Sequence, residues 1–145
     1  PQHVAGLVIN KPTKTKLQKI FAVKGFKTIN ISDLVYSGGP VNQGNIIMMH
    51  TNEWKCKNTL PLANGISITS DPQMLKKMHE QDQPQAWRVF SGLSIWSPGQ
   101  LEGEINSKCW MTAIPTPELS LETPTTQIYE KAIEICSKQI IDKYI

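Results

Sequence analysis

Hydrophobic and polar positions alternate along this chain in short blocks, and the blocks change period several times. Val4 to Ile9 is an apolar run that stops at Asn10-Lys11-Pro12. Pro12 cannot donate to a ladder, so a strand is expected to end there. A short helix is predicted from about Thr15 to Ala22, with Leu17, Ile20 and Phe21 on its apolar side and Gly25 closing it. Leu34-Val35-Tyr36 reads as a strand running into the turn signal Ser37-Gly38-Gly39-Pro40. Asn45 to His50 and Ile66-Ser67-Ile68-Thr69 are two further strands. Ser70 or Asp71 caps the helix that follows, Pro72 sits in its first turn, and Met74, Leu75 and Met78 form its buried stripe.

The second half repeats these alternations. A strand is predicted over Ala86 to Ile95 and another over Cys109 to Ile114, with Pro115 and Pro117 breaking the chain afterwards. A last helix is predicted from about Thr126 to Tyr144, because Ile128, Ala132, Ile133, Ile135, Cys136, Ile140 and Ile141 recur at helical spacing. Strands and helices interleave without regular strand–helix–strand units, so the fold class expected is α+β. The chain of 145 residues is of the size of one domain, and no repeat or low-complexity linker divides it.

The stretch from Trp96 to Trp110 is the most informative. With Ser97 as N-cap, Pro98 becomes the first helical residue and Gln100 the third, which is a capping box. Trp96 and Leu101 occupy the two positions of a hydrophobic staple. The segment therefore specifies how extended backbone turns into helix. A binding role follows from the same geometry: free N–H groups at the helix start suit an anion, Gly99 keeps the approach open, and Trp96 and Trp110 wall a pocket beside it.

Charge changes the picture in one place. Net charge is only +3, but Lys11, Lys14, Lys16, Lys19, Lys24 and Lys27 all precede the first acidic residue, Asp33. A basic lobe of this kind meets nucleic acid or another acidic surface, or else is the solvated face of a helix. Of the 15 basic residues only Arg88 is not lysine, which argues against base-specific reading by arginine forks. The cysteines, Cys56, Cys109 and Cys136, are odd in number and widely spaced. They read as three reduced thiols in a cytoplasmic protein, with no metal ligand set and no cofactor expected. No apolar run approaches the ~20 residues of a membrane span.

Catalytic templates fit poorly. His50 is a strand-end histidine with no partner pattern in the sequence, and Gly92-Leu93-Ser94-Ile95-Trp96 fails the last position of a nucleophile elbow. Gly38 to Gly44 offers an N–H nest but lacks the lysine and hydroxyl that end a phosphate loop. Glu102 and Glu104 are two apart on a helix and face different ways, unlike a paired acid and base.

Four blocks carry a resemblance. Gly6-Leu7-Val8-Ile9-Asn10-Lys11-Pro12, Tyr36-Ser37-Gly38-Gly39-Pro40-Val41, Gly44 with His50, and Trp96-x-Pro98-Gly99-Gln100-Leu101-Glu102 with Trp110 resemble in order and spacing the signature blocks of the AlgH/YqgE family. The resemblance covers nearly the whole chain. It implies a strongly bent, split β-sheet forming a pseudo-barrel with helices packed outside. It also implies a single domain over residues 1–145, lacking the two strands that precede the Gly-Leu-Val-Ile-Asn block in family members. Many members are described as transcriptional regulators and others are uncharacterised, and no enzymatic reaction comes with the family. Two further departures stand out: Ser97 replaces a more usual glycine, and Ser94-Ile95 replaces an Ala-Gly pair.

The expectation is thus a non-enzymatic binding protein, a regulator or adaptor whose partner is a protein or nucleic acid, with no membrane association. The site residues expected are Asn10, Gly38, Gly39, Pro40, His50, Trp96, Gly99, Gln100 and Trp110. The alternatives are a module for a small anion or nucleotide and, ranked last, a hydrolase using His50 or a serine.

Overall fold

A computed structural model describes residues 2–27 and 31–144 of the chain. The fold is mixed α+β, built on one curled seven-stranded sheet that does not close into a barrel. Its strands are β1 (Val4–Gly6), β2 (Pro12–Lys16), β3 (Leu34–Ser37), β4 (Val41–Thr51), β5 (Thr59–Pro61), β6 (Ile66–Thr69) and β7 (Trp87–Trp96). Its helices are α1 (Leu17–Val23), α2 (Pro72–His79), α3 (Gln100–Asn106) and α4 (Thr125–Tyr144), with one π-helical turn at Glu118–Glu122.

The sheet order is β2-β3-β7-β4-β6-β5, and β7 organises it. The first half of β7 lies between β4, antiparallel to it, and β3, parallel to it. Its last three residues, Ser94 to Trp96, pair with β1 instead. That change of partner splits the sheet. It falls just beyond Gly92, whose φ of +77° bends the strand.

Both faces of the sheet are covered, because side chains alternate across it. On one face Met48 and Val89 pack with Val35 against Leu17 and Phe21 of α1 and Met74, Leu75 and Met78 of α2. On the other, Met49, Ile66 and Phe90 pack against Leu121 of the π-helical turn. Arg88 fastens that turn to the sheet. Its guanidinium donates to the carbonyls of Ser120 (3.0 Å) and Thr123 and lies over the ring of Tyr36.

Most predicted elements form, with instructive exceptions. Asp71, not Ser70, caps α2, its carboxylate accepting from the Gln73 N–H at 2.9 Å. Pro12 was expected to end a strand, but it starts β2. The strand reads Pro-Thr-Lys-Thr-Lys and lies at the sheet's edge, where a missing N–H costs nothing and lysines deter further pairing. The helix expected from Thr15 therefore begins only at Leu17. The short strand β5 also escaped prediction; it forms the other edge and ends on Pro61. The strand expected over Cys109 to Ile114 is irregular chain that joins no ladder.

Candidate functional site

The chain leaves β7 at Trp96 and reverses twice within fourteen residues. The first reversal is a turn closed by the Gln100 N–H on the Ser97 carbonyl, 2.9 Å. Gly99 occupies its left-handed position at φ +79° and is the N-cap of α3. A Cβ there would meet nothing within 4 Å, so within the chain it is the backbone angle that calls for glycine.

The capping box forms in half. The Gln100 side chain reaches back and accepts from the Ser97 N–H at 3.0 Å, but no side-chain cap bond comes from the serine. The expected N-cap at Ser97 and first helical residue at Pro98 thus move on to Gly99 and Gln100. The cause is the tight turn inserted by Gly99.

The second reversal ends α3. The Cys109 N–H bonds the Glu104 carbonyl (2.9 Å) and the Lys108 N–H bonds the Ile105 carbonyl (3.0 Å), with Lys108 left-handed at φ +60°. This is a Schellman turn with lysine where glycine is usual. It carries Trp110 back along α3. The Trp110 indole Nε1–H donates to Glu104 at 2.7 Å, while the Gln100 amide donates to the other carboxylate oxygen at 3.2 Å. Trp96 meets Trp110 edge to face, ring centres 5.9 Å apart.

The result is an ordered surface cluster of Trp96, Gln100, Glu104 and Trp110. The Trp110 N–H above all holds the Glu104 carboxyl below its ordinary range, with the Gln100 amide and the Trp96 indole acting the same way against a smaller opposing effect of desolvation. Glu104 is the member of this cluster that sequence reasoning set aside. Its spacing of four from Gln100 was the available signal. Glu102 lies in the first turn of this seven-residue helix, where its charge already complements the helix start.

The other predicted residues lie elsewhere. Gly38 and Gly39 are buried where the β3–β4 turn crosses β7. A Cβ on Gly38 would collide with the Gly92 carbonyl, and one on Gly39 with the Leu93 backbone. The Gly38 N–H bonds the Ser91 carbonyl at 3.0 Å and its own carbonyl accepts from Val8. Pro40 and Asn10 are exposed near this crossing. His50 is wholly buried in β4, its ring edge against Trp54, with both nitrogens hydrogen-bonded. Burial pushes its pKa down, and the Thr51 carbonyl and the Glu53 charge offset this only in part.

The irregular chain 109–115 and α4 flank an apolar groove of about 510 Å³, lined by Met111, Leu119, Tyr129, Ile133 and Cys136 among others. Trp110, Met111 and Ile114 are 47%, 64% and 58% exposed. Cys56, Cys109 and Cys136 are free thiols. Among the described residues no group of three His, Cys, Asp or Glu is placed to hold a metal ion, and no helix is long and apolar enough to cross a membrane.

A curled, split α+β sheet with a tryptophan-bearing turn at the end of its central strand defines a structural class with known representatives. The AlgH-like family profile matches residues 1–140, and the chain belongs to that family. A UPF0301 protein of Proteus mirabilis is 31% identical over 137 residues, covering 90% of this chain and 73% of the relative. One from Polaromonas is 32% identical over 143 residues, covering 92% and 73%. The solution structure of AlgH from Pseudomonas aeruginosa shares the fold at a TM-score of 0.79, with 23% identity over 92% of this chain and 72% of that one. A crystal structure from Corynebacterium diphtheriae matches at a TM-score of 0.61 and 22% identity, covering 80% and 62%.

Proposed function

We propose that this chain is a non-enzymatic, cytoplasmic binding protein of regulator or adaptor type, and that it engages a partner protein through the Trp96–Trp110 surface. The observation that supports this reading is the state of Trp110. A large aromatic side chain stands half-exposed yet is fixed by Glu104 and Trp96, and Met111 lines one apolar groove with it. Fixed aromatic anchors lose little freedom on binding, and tryptophan and methionine are enriched in interface cores. Glu104, held ionised, gives the patch a negative rim suited to a lysine or arginine of the partner. The free thiols accord with a reducing compartment.

Cross-linking in cells with a photoreactive residue at position 111, followed by affinity measurement on the captured protein, tests the reading. Trp110→Ala is expected to weaken that affinity by about 30-fold or more, the mark of a hot spot. Equal affinity of Trp110→Ala and the parent chain would overturn it. The apolar groove favours a second reading, a small-ligand module. A thermal-shift screen separates the two, since a ligand bound to the native state raises the melting temperature.

A further inference from the structure

The six lysines that precede Asp33 do not form one diffuse face. Lys24 lines a different cavity, beside Asp71 and Pro72, and the Lys27 carbonyl accepts from His79. Lys14, Lys16 and Lys19 instead converge on one open groove with Thr15, Gln18 and Ala22. Local structure causes the convergence. Lys14 and Lys16 are two apart on edge strand β2 and stand on the same side of it. The chain then turns directly into α1, which buries Leu17 and Phe21 in the core and so leaves Gln18, Lys19 and Ala22 outside.

We infer that the groove of Lys14, Lys16 and Lys19 binds the phosphate backbone of nucleic acid without reading its sequence. Three observations carry this. First, the lining holds no carboxylate. Asp33 meets this region through its backbone carbonyl, which accepts from the Leu17 N–H at 2.8 Å, and among the described residues the three lysines enter no salt bridge. Second, the lining includes three lysines and a glutamine, side-chain types that bind phosphate oxygens. Third, it holds neither an arginine fork nor an aromatic ring, so base-edge recognition and base stacking are both missing from it. Protection of a sheet edge explains Lys14 and Lys16 but not Lys19, which lies on a helix. A protein partner is disfavoured, since lysine is depleted and aromatic residues enriched in protein interfaces. The inference is independent of the Trp96–Trp110 reading, because it concerns other residues.

Fluorescence anisotropy with a labelled oligothymidine of about 20 nucleotides and with a mixed-sequence duplex, at salt between about 20 and 150 mM, tests this on the 145-residue chain. Both probes are expected to bind at low salt and to weaken as salt rises. Replacing the three lysines together by glutamine is expected to flatten the single-strand salt slope by about 2, at roughly 0.7 for each phosphate no longer neutralised. Replacing them by arginine is expected to keep it. Replacing Lys131, Lys138 and Lys143 by glutamine instead takes away the same charge and is expected to leave binding in place. Three results would each overturn the inference: neither probe binds at the lowest salt, the two glutamine triples lose binding equally, or phosphatidylserine vesicles bind through these lysines while neither oligonucleotide does. Thermal melts of the variants confirm that each is folded when measured.

Discussion

Nε2 of His50 lies 2.7 Å from Oγ1 of Thr69, and both side chains are wholly buried. Proton positions follow from the neighbours. Nδ1 of His50 is 2.9 Å from the Thr51 carbonyl, which only accepts, so Nδ1 carries the hydrogen. Nε2 must then accept from Thr69. Thr69 in turn accepts from Thr59 at 2.8 Å, and Thr59 accepts from the Cys56 N–H at 2.7 Å. One chain of donors runs from Cys56 to His50, tying the loop before β5 to the middle of the sheet.

Neutral His50 is a condition of that chain, which makes stability depend on pH in a defined direction. Burial lowers the folded-state pKa below the ordinary value of about 6.5. Below that value the unfolded chain binds a proton that the folded chain refuses, so stability falls as pH falls. Above it His50 contributes no pH dependence. Urea unfolding at pH values from about 8 to 5 is expected to show a flat region followed by a loss of up to about 1.4 kcal/mol per pH unit from this proton. Replacing the other histidines, His3 and His79, is expected to leave the loss in place. A curve that stays level down to about pH 5 would sink the assignment.

Much of this architecture was legible because local chemistry and tertiary context agreed. Ile66 to Thr69 is the strand its alternation predicts, although it is covered on both faces and not on one; Asp71-Pro72 starts a helix by cap and fixed φ. Where they disagreed, the pattern misled. Pro-Thr-Lys-Thr-Lys contains nothing apolar, because β2 needs only an edge and not a buried face. Cys109 to Ile114 has the composition of a strand but joins no ladder, a fact set by pairing and invisible in the segment itself. The tryptophan cluster was half legible. Trp96, Gln100 and Trp110 were expected together, but Glu104 joins them only because Lys108 adopts a left-handed angle that lysine does not advertise.

Three left-handed positions separate backbone angle from available space. At Gly92 a Cβ would collide with the Gly39 carbonyl as well as face a φ of +77°, whereas at Gly99 only the angle of +79° resists it. Gly99→Ala is therefore expected to cost about 1 kcal/mol and Gly92→Ala clearly more, about 3 kcal/mol, since the crossing of two backbones must open. Lys108→Gly is expected to stabilise by up to about 1 kcal/mol by relieving the Schellman position. Urea midpoints measure all three. Equal losses at Gly92 and Gly99 would show that the crossing of the β3–β4 turn over β7 imposes no close approach.

Arg88 supplies the last prediction. It is half-buried, and its two donors reach the carbonyls of Ser120 and Thr123 while its plane lies over Tyr36, 5.5 Å from the ring centre. A lysine ammonium keeps the charge but cannot span two carbonyls from one flat fork or stack on the ring. Arg88→Lys is thus expected to destabilise by about 1.5–3 kcal/mol, the range for hydrogen bonds to a charged group. The loss should be local first. Leu121 of the π-helical turn packs on Phe90 and Met49, so freeing the turn exposes that side of the core before the sheet unfolds. Amide hydrogen exchange is expected to quicken at residues 118–123 in the variant while β4 and α2 keep their protection. Uniform acceleration across the chain would mean that Arg88 serves global stability and not the attachment of this turn.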